Sequence, residues 1–242
     1  MEGVDWVFHK AAVASVPKTV NDPVGSSTVN YQGTLYLLEA ARINKVKRFV
    51  FASSAALYGD EPTLPKVESM CPVTLSPYAV DKLASEFACG MYTKLYGLET
   101  VCLRYFNVYG PKQDPSSPYS GVISIFTDKL KKKEIPTIFG DGEQTRDFVY
   151  IGDVVAANMS AITTSEGVGQ YYNIATGNKI TLNALLKVLC EIYDVSFEVN
   201  YSESRKGDIK DSYAVIDKAN SLLSWTPSVD LKHGLKLLCD SL

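Results

Sequence analysis

Hydrophobic positions over the first hundred residues fall into two alternating textures. Short runs are apolar, β-branched or aromatic almost throughout: VDWVFH (4–9), RFVFAS (48–53) and ETVCLRYFN (99–107). Between them lie longer stretches with helical periodicity, DPVGSSTVNYQGTLYLLEAARIN (22–44) and SPYAVDKLASEFACGMYTKLYG (76–97). The order predicts β-α-β-α-β. Strands lacking inside–outside alternation are covered on both faces, and helical crossovers between them imply a parallel sheet with right-handed connections.

After Gly110 the texture changes to a Pro- and Ser-rich loop (111–121), an amphipathic helix (122–133), a short strand IPTIFG, a GDG turn, and a strand-helix-strand return through FVYIGDVVAANMSAITT and QYYNIATG. The last third mixes helices with a strand FEVNY and the segment SRKGDIKDS. The expected fold class is α/β: a partial doubly wound parallel sheet of the Rossmann type, with a smaller α/β lobe. Residues 1–110 and 147–176 are assigned to the sheet domain, and 111–146 with 177–242 to the lobe.

In such sheets ligands bind at the carboxyl ends of the strands. That rule selects His9-Lys10-Ala11-Ala12, Ser53-Ser54-Ala55 and Asn107-Val108-Tyr109-Gly110. Ser76 and Pro77 supply a cap and a first-turn proline, so Tyr78 is expected at a helix start facing the same rim, with Lys82 four positions on and on the same helix face. With 15 Tyr and 24 Lys plus Arg in the chain, roughly one Tyr-x-x-x-Lys spacing arises by chance, so its meaning comes from its surroundings.

Composition narrows the function. A chain of 242 residues, 46% hydrophobic and 21% charged with net charge −3, is an ordinary globular composition with no basic stripe for nucleic acid and no apolar run of membrane-spanning length. The Lys131-Lys132-Lys133 triplet reads as a solvated helix end. Five scattered cysteines without a C-x-x-C pair argue against a disulfide framework or a zinc site, and two histidines supply metal or Ser-His-Asp chemistry poorly. The expected location is cytoplasmic.

Taken together, HKAA, SSAALYGDEP, SPYAVDK, LRYFNVYGPKQDP, GDGEQTRDFVYIGDV, YNIATG and RKGDIKDS resemble the extended short-chain dehydrogenases, specifically the nucleotide-sugar 4-epimerases of the UDP-glucose/UDP-N-acetylglucosamine type. The resemblance implies NAD as cofactor, a UDP-sugar as substrate, and Tyr78, Lys82 and Ser54 as the catalytic group, with Tyr78 removing the sugar 4-hydroxyl proton. It places His9, Ala11, Ala12, Tyr78, Lys82 and Tyr105 against NAD. It places Ser15, Ser53, Ser54, Asn107, Gly121, Val122, Arg146, Arg205, Asp208 and Ser212 against the UDP-sugar, with the two arginines on the diphosphate and no metal. It also implies a homodimer through helices near 24–43 and 77–96.

A phenol titrates near 10, and a base working at pH 7 needs about three units less, on the order of 4 kcal/mol. Lys82 and the positive nicotinamide ring are expected to supply this by nearby charge. Relatives that eliminate water or carbon dioxide carry carboxylates after the strand-end serine, whereas this chain reads Ser54-Ala55-Ala56, which favours epimerisation. Ser212, a small residue, implies room for an N-acetyl group. The family's amino-terminal glycine-rich segment has no counterpart here: Gly140-Asp141-Gly142 and Gly167-Val168-Gly169 read as turns. An open sheet edge at the first strand and weak NAD binding by this chain are therefore expected, and a catalytically silent, UDP-sugar-binding or dimerising remnant is the alternative reading.

Overall fold

A computed structural model describes residues 1–113, 121–204 and 209–242. The chain opens with β1 (Trp6–His9), followed by the short helices α1 (Val16–Asn21) and α2 (Pro23–Ser27), a π-helical turn (Thr28–Gln32), and α3 (Gly33–Ile43). The single helix expected over 22–44 is thus interrupted. Asn30, inside the π turn, accepts from the Val13 N–H (2.7 Å) and donates to the Val13 carbonyl (3.2 Å), so the local widening of the helix clamps the loop that leaves β1. Then come β2 (Arg48–Ser54), a 3₁₀ turn (Ala55–Tyr58) and α4 (Pro77–Tyr96). Ser76 caps α4 by accepting from the Ala79 N–H (3.2 Å), Pro77 sits in its first turn, and Gly97 closes it in the left-handed conformation (φ 71°), as the residue types favour.

The chain continues through β3 (Thr100–Tyr105), β4 (Asn107–Tyr109), α5 (Val122–Lys131), β5 (Thr137–Phe139), β6 (Thr145–Arg146), β7 (Phe148–Tyr150), α6 (Ile151–Thr163), β8 (Gln170–Ile174), β9 (Ile180–Thr181), α7 (Leu182–Tyr193), β10 (Asn200–Ser202), β11 (Asp211–Ser212), α8 (Asp217–Leu223) and α9 (Leu231–Asp240). The strand expected over 197–201 forms only as β10, where the backbone meets β5 in parallel register.

Four parallel strands in the order β1-β2-β3-β8 make the main sheet. Its two faces bury different side chains of the same strands. Phe49, Phe51 and Cys102 pack on Leu38 and Ala41 of α3 and on Ala88, Cys89 and Tyr92 of α4. Val50, Val101 and Leu103 pack on Val154, Ala157 and Ala161 of α6 and on Leu223 and Trp225. Covering both faces explains why these strands read as unbroken apolar runs. β1 lies at the sheet edge, where Trp6 and Phe8 stay 52% and 40% exposed. A separate core joins Phe126 and Ile123 of α5, Ile138 of β5, Leu185, Leu186 and Leu189 of α7, and Leu235 and Leu238 of α9. Among the described residues no helix is long and apolar enough to cross a membrane.

Candidate active site

The carboxyl ends of β1, β2 and β3 open onto one crevice, and α4 delivers Tyr78 and Lys82 to it from the side. Lys82 is buried, donates from Nζ to the Ala52 carbonyl (2.7 Å), and lies 4.7 Å from the Phe51 ring centroid and 5.8 Å from that of Tyr78. Burial lowers its ammonium to about 8, partly offset by the neighbouring Cys89, Asp81 and Cys102. Burial likewise raises the Tyr78 phenol above its ordinary value, opposed by the hydrogen-bonding influence of the Ser54 hydroxyl. The lowering is expected from Lys82 together with the nicotinamide ring, and in the chain alone burial is the larger influence on Tyr78. One of the three N–H donors of the ammonium goes to the strand-end carbonyl.

Ser54 terminates β2, and its oxygen also accepts from the Ala56 N–H (3.2 Å), opening the 3₁₀ turn. Ser53 is 3% exposed, and its hydroxyl donates to Glu86 of α4 (2.8 Å). On the opposite side of the crevice Tyr105 donates to the Asn158 amide oxygen (2.9 Å) and receives from the Lys10 ammonium (2.6 Å). Lys10 is exposed as a residue, yet its ammonium end is enclosed. Burial, and then the nearby Lys82 charge, lower it to about 7.

His9 turns its ring away from the crevice onto Phe49 and Phe51, with Nε2 2.8 Å from the Thr34 hydroxyl. Burial lowers it to about 4, so it is neutral at pH 7. What β1 offers at the rim is the backbone at Ala11 and Ala12 and the side chain of Lys10. Ser15 is buried and caps α1 by accepting from the Lys18 N–H (3.1 Å).

Beside the crevice a cavity of about 460 Å³ runs between β4, α5, β5 and β6. Asn107, Gly121, Val122 and Arg146 all line it. Asn107 is held by donation from Nδ2 to the Asp147 carbonyl (2.9 Å), while the fully buried Asp147 carboxylate accepts from Thr176 N–H (2.8 Å) and hydroxyl (2.7 Å) and from Gly177 N–H (3.0 Å). Gly121, with extended backbone, precedes the first turn of α5, whose leading N–H groups have no partner within the helix. Arg146 donates from Nη1 to the Thr145 carbonyl (2.8 Å), and Ser212 stands opposite it in the β11–β6 register. Arg205 and Asp208, expected on the diphosphate and the ribose, lie outside the described residues.

A strand-end rim with an enclosed phenol, a lysine and a serine, close along the chain to a cavity lined in part by Asn107 and Arg146, suits an extended polar ligand. A model described as the NAD dependent epimerase/dehydratase family matches residues 1–175. The chain belongs to that family. A putative UDP-glucose 4-epimerase of Methanocaldococcus jannaschii is 42% identical over 234 residues, covering 96% of this chain and 75% of that protein. Among solved structures, the UDP-N-acetylglucosamine 4-epimerase of Methanobrevibacter ruminantium, in complex with UDP-N-acetylmuramic acid, superposes with a TM-score of 0.96 at 36% identity, covering 99% of this chain and 77% of that one. The UDP-glucose 4-epimerase of Thermus thermophilus in complex with NAD gives 0.88 at 38% identity, covering 98% and 77%. The chain thus spans about three quarters of each of these relatives.

The donor set in this epimerase/dehydratase crevice suits a dinucleotide. Two ammoniums, Lys10 and Lys82, form no ion pair among the described residues, and with the phenols of Tyr78 and Tyr105 they offer cations and hydroxyl donors to a diphosphate and to ribose hydroxyls. The sequence reading placed Lys10 on the rim without giving it a role, and it missed Glu86, Arg104 and Asn158. Of these three Glu86 carried a signal, lying at i+8 from Tyr78 on the same helix face.

Proposed function

We propose that this chain is a nucleotide-sugar 4-epimerase acting on a UDP-hexose. The observation that carries the reading is that Lys82 lies beside the Tyr78 ring and bonds to the end of β2, which closes with Ser54, on the rim next to the cavity lined in part by Arg146 and Asn107. Tyr78, Lys82, Tyr105 and the backbone at Ala11 and Ala12 would hold NAD, which when bound supplies the hydride acceptor and donor for the sugar C4. Tyr78 takes the proton from the C4 hydroxyl and returns it, and the Ser54 hydroxyl favours the ionised phenol. Lys82, tied to the Ala52 carbonyl, fixes α4 against the strand end. Gly121, Val122, Asn107 and Arg146 would bind the UDP moiety, together with Ser15, Arg205 and Asp208.

Ala55 and Ala56 follow Ser54 in the 3₁₀ turn, so no carboxylate stands there to drive elimination. Ser212, beside Arg146, leaves room for N-acetylated sugars, in keeping with the relative solved in complex with UDP-N-acetylmuramic acid. Exposed Tyr36 (66%) and Ile43 (63%) on α3, with Phe87 (62%) and Leu95 (64%) on α4, support a homodimer through these two helices. Five free cysteines fit a reducing, cytoplasmic setting.

The test is incubation of the purified chain with NAD and UDP-glucose or UDP-N-acetylglucosamine, with C4 epimers resolved by NMR. Turnover that falls by at least about a hundredfold in Tyr78→Phe, the scale of general-base catalysis, is the expected result. UDP-sugar binding without turnover would instead favour the silent remnant.

A further inference from the structure

Beneath the crevice lies a buried ionic network that the proposed chemistry does not use. Glu86 and Arg104 are 2% and 1% exposed. Arg104 grips the carboxylate bidentately, Nη2 to Oε1 at 2.6 Å and Nε to Oε2 at 3.1 Å. Glu86 Oε2 also accepts from the Ser53 hydroxyl (2.8 Å), and Arg104 stands opposite Ser53 in the β2–β3 register. The second arm of Arg104 donates from Nη1 to the Tyr58 hydroxyl (3.0 Å), which donates to Asn173 (2.7 Å). One ion pair therefore reaches the residue before Ser54 and the end of the 3₁₀ turn that follows it.

A paired carboxylate that is 2% exposed and already accepts three hydrogen bonds has no path to exchange protons with a substrate, so Glu86 is not an acid or base of the reaction. Nor does burial of an ion pair argue for stability, since desolvation consumes most of the attraction and apolar replacements are often neutral. What a bidentate fork supplies is fixed geometry. Tyr78, Lys82 and Glu86 recur every four residues along one face of α4; Lys82 meets the Ala52 carbonyl and Glu86 the Ser53 hydroxyl, so this face is tied to the two residues that precede Ser54.

We infer that Glu86 and Arg104 are positioning residues: through Ser53 and Tyr58 they hold the strand end that carries Ser54 against the α4 face that carries Tyr78. The inference rests on the epimerase reading, and it gives Ser53 the role of a clamp where the family resemblance makes it a sugar contact.

Two variants test it. Ser53→Ala removes one hydroxyl and leaves the ion pair whole, so folding is retained. Glu86→Gln keeps the shape and loosens the Arg104 grip. Steady-state kinetics with the UDP-hexose should show kcat reduced by about tenfold or more in both, with KM within about twofold, because an interaction felt only in the transition state is lost. The second readout needs no turnover: ¹³C NMR titration of tyrosine-labelled protein, with the Tyr78 signal assigned through Tyr78→Phe. The Tyr78 titration should move upward in both variants as Ser54 drifts from the phenol. An unchanged Tyr78 titration in Ser53→Ala, or a raised KM at constant kcat, would overturn the inference. A shifted titration in a chain that lacks turnover supports the clamp while refuting the epimerase reading.

Discussion

At the scale of single residues, environment overrides type. Lys82 lies where the motif puts it, beside the Tyr78 ring and bonded to Ala52, yet burial is the larger influence on the phenol and raises it. The pH behaviour of His9 follows from the same logic. Its native value of about 4 lies below the ordinary 6.5, so the unfolded chain binds the proton more readily. The stability this contributes is complete above about 6.5 and is lost as pH falls toward about 4. Between pH 7.5 and pH 5 the urea midpoint should therefore drop further for the native protein than for His9→Gln, which keeps a polar partner for Thr34 without titrating. Ser212 carries a second residue-scale prediction. Ser212→Tyr should depress turnover of UDP-N-acetylhexosamine by about tenfold relative to UDP-hexose, the scale of a pocket clash. Equal loss on both substrates, measured as kcat/KM, would refute a role for Ser212 in admitting the N-acetyl group.

At the scale of elements, α4 shows how much local signals decide. Ser76, Pro77 and Gly97 mark its ends in the sequence, and the helix starts and stops with them. Ser76→Ala should cost about 1 kcal/mol, the usual loss of an N-cap, read as a lower urea midpoint at unchanged slope. The turn so loosened carries Tyr78, so kcat should fall as well. Less legible was the stretch over 22–44, whose period predicts one helix. The π turn at Thr28–Gln32 arises because Asn30 bonds to Val13 across 17 residues of chain, a tertiary demand with no local period. β10 is shorter than the strand expected over 197–201 for a similar reason: pairing with Thr137–Phe139 decides its limits.

For the whole molecule, the parallel sheet buries both faces while α3 and α4 keep large side chains in solvent, Phe87 and Leu95 among them. A surface of this kind is expected to be covered by a second copy. Sedimentation should show a dimer, and Phe87→Glu should shift it to monomer with its far-ultraviolet circular dichroism unchanged. A native chain that sediments as a monomer at micromolar concentration would rule out that interface.

Periodicity, capping residues and ordered motifs, all local along the chain, were enough to determine the β-α-β order, the start of α4, the strand ends that form the crevice, and the pairing of Tyr78 with Lys82 on one helix face. Tertiary structure alone decided which way side chains turn at those strand ends. His9 faces Thr34, Ser53 faces Glu86, and Lys10 faces Tyr105 and Asn158. Each partner lies 25 or more residues away along the chain, and the direction of a buried polar group is set by whichever distant group can satisfy its hydrogen bond once water is gone.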